Sequence, residues 1–138
     1  MIFKKQVPKL EKPEGKYFIT FVTYERLELS LEARQIVLDA CKFFHQKKYK
    51  LCTAVIMPDH VHFIIQPFIK SETEYWSIGS ILHSIKSYSS KQIPKVMLHT
   101  GKVWQDGRYE EMIQNPDDLN ECYTNFRLVN LKWFFIYG

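Results

Sequence analysis

The fold is decided by residues 51–66, which read LCTAVIMPDHVHFIIQ. Two runs rich in β-branched and other apolar residues, 51–57 and 60–66, lie on either side of Pro58 and Asp59. Proline interrupts the hydrogen-bond ladder of the first run, and aspartate favours a turn. The pattern therefore predicts a β-hairpin.

One strand and two helices are predicted around this hairpin. Residues 17–24, YFITFVTY, are dense in β-branched and aromatic side chains and predict a strand. Residues 31–48 follow Ser30 and repeat apolar side chains every three or four positions, which predicts a helix capped by Ser30. The same spacing predicts a second helix over residues 75–93, which Pro94 ends.

Two further elements complete the chain. Residues 102–113 surround Gly107 and are predicted to be extended, either as a segment or as an edge strand. Residues 115–118, NPDD, combine a capping residue, a proline suited to the first helical position and two carboxylates, and they predict a third helix over residues 116–131. This order of elements predicts a ferredoxin-like α+β fold, an antiparallel sheet with helices packed on one face.

Composition limits the class of protein. The chain has 138 residues, 46% of them hydrophobic and 25% charged, so we expect a single globular domain over residues 1–138 and exclude disordered and collagen-like chains. Residues 1–16 form a polar lead, and residues 132–138 form an apolar tail. No apolar stretch approaches the ~20 residues that span a bilayer, and no signal sequence is recognisable, so we expect a cytoplasmic protein without membrane contact.

Charge is unevenly distributed along the chain, whose formal net charge is +4. Residues 1–50 hold 11 of the 19 Lys and Arg but 6 of the 15 Asp and Glu. A basic first third suits a polyanionic partner, although many proteins without such a partner are equally basic. Charge therefore admits nucleic-acid binding without deciding it.

His60 and His62 open the second strand of the predicted hairpin. Side chains two apart on a strand point to the same face, so the two imidazoles are presented together, as two ligands of one divalent cation require. Two histidines on a half-buried sheet can also be incidental. The spacing alone leaves both interpretations open.

The chain closely resembles the HUH single-tyrosine transposases, and in particular their REP-associated branch, in five stretches between residues 17 and 130. The clearest stretch is MPDHVHFII, residues 57–65. The others are similar to the family's first strand, a turn of its second helix, the segment before its last helix and the opening of that helix. In the same order they read YFITFVT (17–23), IKSYS (85–89), VWQDGRYE (103–110) and DLNECY (118–123).

The resemblance implies a metal-dependent transposase that cleaves and rejoins single-stranded or hairpin DNA through a 5′-phosphotyrosine intermediate. It implies Tyr123 as the nucleophile and His60 and His62 as ligands of Mg²⁺ or Mn²⁺; imidazoles suit Mn²⁺ somewhat better. On the predicted third helix, Tyr123 lies at the edge of the apolar stripe, from which it can reach the sheet. Tyr109 and Tyr88 are the alternative nucleophiles.

Arg127 and Leu128 depart from the family's pattern, which has Asn or Gln one turn after the nucleophile as a third metal ligand, and then proline. Arginine cannot ligate a cation because it only donates hydrogen bonds. Water, Gln66 or Asn130 would then complete the site. Alternatively, the chain is a decayed or domesticated relative that binds structured single-stranded DNA without cleaving it.

Three basic side chains near the implied site are expected to contact DNA phosphates: Lys86, Arg108 and Arg127. An RNA-binding module with a ferredoxin-like fold is a third possibility, disfavoured because the chain has no RNP-type aromatic strand. The sequence leaves open whether the protein is a monomer or a homodimer.

Overall fold

The computed structural model describes residues 15–113, and its main feature is a four-stranded antiparallel sheet. Residues 15–113 contain six strands, which are β1 (Tyr17–Val22), β2 (Tyr49–Ile56), β3 (His60–Pro67), β4 (Ile69–Ser71), β5 (Glu74–Tyr75) and β6 (Tyr109–Met112). The large sheet has the order β2-β3-β1-β6, and β4 pairs with β5 in a separate hairpin. With two helices packed against the large sheet, the architecture confirms the predicted ferredoxin-like α+β fold.

Both predicted helices of this region are present, and each begins at a serine cap. Helix α1 spans Leu31–Phe43, and the backbone N–H of Ala33 donates to the Ser30 hydroxyl at 3.1 Å. Helix α2 spans Ile78–Gln92, and Ser77 caps it in the same way. These bonds satisfy backbone donors that have no partner within the helix.

The predicted end of the first helix at residue 48 is wrong, because the chain turns at Gln46. This residue adopts a left-handed backbone with φ of 71°, and its N–H donates to the carbonyl of Tyr49 at 2.7 Å. A left-handed residue cannot continue a right-handed helix. The turn brings the chain directly into β2.

The predicted start of the second helix at residue 75 is also wrong. Glu74 and Tyr75 pair with β4 to form a small hairpin, and the helix begins three residues later. Of the extended segment predicted over residues 102–113, only the last part becomes β6. The preceding loop touches the sheet at Trp104, which forms a single bridge with Thr23.

A β-bulge in β2 explains how two halves of one strand can both bury their apolar side chains. Leu51 lies opposite Ile65, and Thr53 lies opposite Ile64, so Cys52 is an extra residue. The buried positions accordingly change phase: Leu51 and Cys52 are both buried, and alternation resumes after them. An extra residue of this kind reverses the faces of the side chains that follow it.

The two faces of the large sheet differ sharply. On the helix face, the side chains of Ile19, Phe21, Val61, Phe63 and Ile65 are at most 1% exposed and form the core with α1 and α2. The opposite face, which we call the histidine face, consists of half-buried side chains on β1, β2 and β3. On β1 and β3 it presents Phe18, Thr20, Val22, His60, His62, Ile64 and Gln66.

A strained turn follows β1. Glu25 and Arg26 both have positive φ, 52° and 59°, within a short 3₁₀ segment at Tyr24–Arg26. Two backbone hydrogen bonds attach this region to the hairpin turn: Thr23 N–H to the Asp59 carbonyl at 3.0 Å, and Leu29 N–H to the Pro58 carbonyl at 2.7 Å. These bonds hold the turn against the start of β3.

Some predictions concern parts of the chain outside the described residues. They are the third helix over residues 116–131, the polar lead over 1–16, apart from its last two residues, and the apolar tail over 132–138. Within residues 15–113, neither helix is long and apolar enough to cross a membrane.

Candidate active site

The structure brings His60 and His62 together on the histidine face. Their ring centroids are 4.8 Å apart and their planes are inclined at 78°. Val61, between them, is fully buried on the helix face. The predicted same-face arrangement of the two imidazoles is therefore confirmed.

His60 is held by a carboxylate next to it in sequence. The His60 Nδ1 and Asp59 Oδ1 atoms are 2.7 Å apart. The hydrogen bond from His60 and the charge of Arg26 hold the pKa of Asp59 below its ordinary value, against the opposing effect of burial. An ionised carboxylate only accepts hydrogen bonds, so His60 Nδ1 is the donor.

His62 is held by β1. Its Nδ1 atom lies 2.8 Å from the Thr20 hydroxyl, and the Phe18 ring stacks on the imidazole with centroids 5.5 Å apart. Burial, together with the charge of His60, lowers the pKa of His62. A lowered pKa favours the neutral imidazole, which is the form that binds metals.

The donor set of this pair fits a divalent cation. Both Nδ1 atoms are engaged within the protein, which leaves the two Nε2 atoms as the nitrogens that could bind a metal. In the part of the chain that the structure describes, no cluster of three or more His, Cys, Asp or Glu side chains could hold a metal ion. Residues 15–113 therefore offer two candidate ligands, fewer than a divalent cation needs.

Gln66 shares the histidine face but lies four residues along the strand from His62. At about 3.3 Å per residue, their backbones are roughly 13 Å apart. Side chains that stand perpendicular to a sheet cannot share one cation over that distance. The structure thus places Gln66 away from the histidine pair.

Lys86 and Arg108 lie on the helix side of the sheet, away from the histidine pair. The Lys86 ammonium donates to the carbonyls of Gln105 and Gly107 at 3.0 and 3.1 Å and lies over the Phe21 ring. Burial lowers the pKa of Lys86.

Arg108 Nε donates to Glu110 at 2.7 Å. The Arg108 side chain lines a cavity of about 590 Å³ beside the first turn of α2. Of the three predicted phosphate contacts, Lys86 and Arg108 therefore have partners within the protein.

Of the alternative nucleophiles, Tyr109 is on the histidine face and Tyr88 is on α2. Tyr109 lies opposite Thr20 in the pairing of β6 with β1, and its hydroxyl donates to Glu111 at 3.0 Å. That hydrogen bond and the charge of Glu111 raise the pKa of Tyr109, which makes the more nucleophilic phenolate harder to form. Tyr88 is half-exposed on a helix that covers the other face.

Tyr123, Arg127, Leu128 and Asn130 lie outside the described residues. Their roles stay predictions from the resemblance.

Sequence reasoning missed the groups that hold the imidazoles. From the sequence, Asp59 is predicted only to favour the turn, and no pattern points to Thr20 or Arg26. The position of a carboxylate beside His60 was a usable signal. The sequence contains no signal for Thr20 or Arg26, because the tertiary fold brings them to His62 and Asp59 from distant positions in the chain.

A ferredoxin-like sheet with a same-face histidine pair is the arrangement expected of an HUH-type tyrosine transposase. The family model described as "Transposase IS200 like" matches residues 13–115. The chain therefore belongs to the IS200-like transposase family, and its function is of the transposase type.

Two solved structures support the fold. A REP-associated tyrosine transposase bound to a REP hairpin is similar with a TM-score of 0.60 and 19% identity, covering 96% of this chain and 74% of that one. A Deinococcus radiodurans crystal structure described as that of a transposase is similar with a TM-score of 0.55 and 13% identity, covering 91% and 95%. Among curated proteins, none matches the chain.

Proposed function

We propose that the protein is a metal-dependent transposase that cleaves and rejoins single-stranded or hairpin DNA through a 5′-phosphotyrosine intermediate. The observation that carries the proposal is the pair of imidazoles on the histidine face, each fixed at Nδ1 and each with Nε2 left for a ligand. Membership of the IS200-like family supports it.

In the proposed reaction, the Tyr123 hydroxyl gives its proton to water, its oxygen bonds to phosphorus, and the bond from phosphorus to the 3′ oxygen breaks. The leaving oxygen takes a proton and becomes a free 3′-OH, while the 5′ side stays on the tyrosine. His60 and His62 would hold Mg²⁺ or Mn²⁺. A divalent cation supplies polarisation of the phosphate and offsets charge on the leaving oxygen.

The proposed substrate is single-stranded or hairpin DNA. The similar REP-associated transposase is bound to a REP hairpin, which supports a structured strand. Lys86, Arg108 and Arg127 are the proposed phosphate contacts. Because a lysine ammonium has three protons and Lys86 donates to two carbonyls, one proton remains for a phosphate.

Arg127 favours a second candidate function, that of a relative which binds structured DNA without cleaving it. Arginine at the position of the family's third ligand cannot coordinate a cation. This candidate shares the fold, the histidine pair and the DNA contacts with the first. Only covalent chemistry separates the two.

The test is incubation of the protein with labelled hairpin DNA and Mn²⁺ or Mg²⁺, followed by a denaturing gel. We expect a covalent protein–DNA band with the natural chain and none with Tyr123→Phe, which lacks the nucleophilic hydroxyl but should still bind DNA. Tyr109→Phe is the matched control and should keep the band. If Tyr109→Phe loses it instead, Tyr109 is the nucleophile.

Arg127→Asn distinguishes the two candidate functions. If the natural chain binds hairpin DNA but forms no adduct with either metal, while Arg127→Asn forms one, the protein is a binding relative with an impaired site. An adduct formed by the natural chain supports the transposase.

A further inference from the structure

We propose that Asp59 and Arg26 are positioning residues for the histidine pair: Asp59 fixes the tautomer and orientation of His60, and Arg26 fixes Asp59. The inference rests on the proposed metal-binding role of His60. It adds two residues from two separate turns, which act on the site through His60.

The contact between Asp59 and His60 determines which imidazole nitrogen is free. Because the carboxylate can only accept, the proton lies on Nδ1 and the Nε2 lone pair is left for a cation. Without the carboxylate, His60 could place its proton on Nε2. A metal would then have to displace that proton.

The Arg26 guanidinium binds the other oxygen of the Asp59 carboxylate. Its Nε and Nη2 atoms lie 2.9 and 2.7 Å from Asp59 Oδ2, while Oδ1 faces His60. Each carboxylate oxygen therefore has its own partner. A carboxylate held on both sides cannot rotate without losing a charged hydrogen bond.

The backbone supports this contact at a cost. Glu25 and Arg26 both occupy the left-handed region, where a non-glycine residue costs of the order of 1 kcal/mol or more. Glycine would relieve the strain at position 26 but would remove the guanidinium. The bonds from Thr23 and Leu29 to the Pro58–Asp59 turn keep the strained segment in place.

A surface ion pair without function would predict something different. The Arg26 side chain is 73% exposed and that of Asp59 is 20% exposed, and pairs of this kind contribute little to stability. If the pair were only structural, its loss would change folding slightly and leave the imidazole of His60 unaltered. The position of the His60 proton therefore separates the two interpretations.

The first measurement uses the metal-free protein. Long-range ¹H–¹⁵N correlation NMR at about pH 8, where imidazoles are neutral, reports which nitrogen carries the proton. We expect the Nδ1–H tautomer for His60 in the natural chain and a shift towards Nε2–H in Asp59→Ala. Asp106→Asn is the matched control, because it breaks an exposed ion pair with Lys102 and should leave His60 unchanged.

The second measurement is calorimetric titration with Mn²⁺ alone. Losing the hydrogen-bond partner of a metal-binding histidine typically lowers affinity by roughly 10- to 100-fold, and we expect this for Asp59→Ala. We expect a smaller loss for Arg26→Ala and partial recovery in Arg26→Lys, which restores the charge but not the two-nitrogen contact. Thermal unfolding of each variant checks that the fold is kept.

The outcomes separate this inference from the proposed function. If Mn²⁺ affinity is the same in the natural chain and in the double variant His60→Ala, His62→Ala, the proposed metal site is wrong, and the NMR result still decides whether Asp59 orients His60. If Asp59→Ala keeps both the Nδ1–H tautomer and the natural affinity, the positioning role is overturned even though the metal site stands.

Discussion

The two faces of the large sheet are built from alternate residues of the same strands, yet they serve different ends. On the helix face, Phe63 is fully buried among apolar side chains. On the histidine face, His62 is half-buried and hydrogen-bonded to Thr20. Because neighbours in sequence belong to opposite faces, a substitution can alter stability while leaving the candidate site intact, or the reverse.

The largest expected effect tests this separation directly. Phe63→Ala should lower the free energy of unfolding by about 3–5 kcal/mol, because it opens a cavity in the core. Ile64→Ala, one residue further and on the histidine face, should cost less than about 2 kcal/mol. Urea unfolding of both variants measures the difference, and equal losses would show that the histidine face is packed as tightly as the core.

The second prediction concerns the pH dependence of stability, which should reveal how deeply the core beneath the helix face is buried. In the core beneath the helix face, burial raises the pKa of Cys41, a residue of α1, from 9.0 to about 12. The unfolded chain therefore releases the thiol proton first as pH rises. This contribution to stability is fully present below pH 9 and falls by about 1.4 kcal/mol per unit above it.

Urea unfolding at about pH 8 and pH 10 measures this effect. The free energy of unfolding of the natural chain should fall by about 1.4 kcal/mol more than that of Cys41→Ala. The Cys41→Ala variant is the control, because it keeps every other group that titrates at alkaline pH, including the buried Tyr49. Equal losses in the two proteins would mean that Cys41 ionises as readily in the folded chain.

The smallest expected effect concerns Lys86, a proposed DNA contact on the helix side of the sheet. Lys86→Met should cost about 1 kcal/mol of stability, because two carbonyls lose their donor. It should also reduce the slope of log affinity against log salt for single-stranded DNA by about 0.7, the value of one phosphate contact. Lys91→Met, an exposed lysine of α2, is the control. A stability loss without a change in slope would make Lys86 a purely structural residue.

Local sequence patterns predicted those elements whose position depends on one local interaction, such as a turn or a helix cap. The two β-rich runs around Pro58 and Asp59 located the hairpin of β2 and β3, and the Ser30 cap located the helix start at Leu31. Apolar spacing located the second helix but placed its start three residues before Ile78. The bulge at Cys52 and the turn at Gln46 were missed, because each depends on how a strand must meet its neighbour. The hairpin of β4 and β5 was missed because its short strands bury no alternating side chains.

The candidate site divides in the same way. The histidine pair follows from strand geometry, whereas Thr20 and Arg26 reach it only through pairing of β1 with β3 and through the turn after β1. Two of the sequence stretches that carried the family resemblance also meet in space. Ser89 accepts from the Trp104 indole, and Lys86 holds the following loop.

The position of β1 between β3 and β6 has a bearing on the order of folding. The hairpin of β2 and β3 joins neighbours in sequence, so it can form early. By contrast, β1 pairs with strands that come much later in the chain, and closing those long loops is slower. Both histidines and Asp59 lie on the hairpin, whereas Thr20 and Arg26 arrive with β1. A chain in which β1 has not yet docked would therefore present both imidazoles before Thr20 holds His62 and before Arg26 holds Asp59.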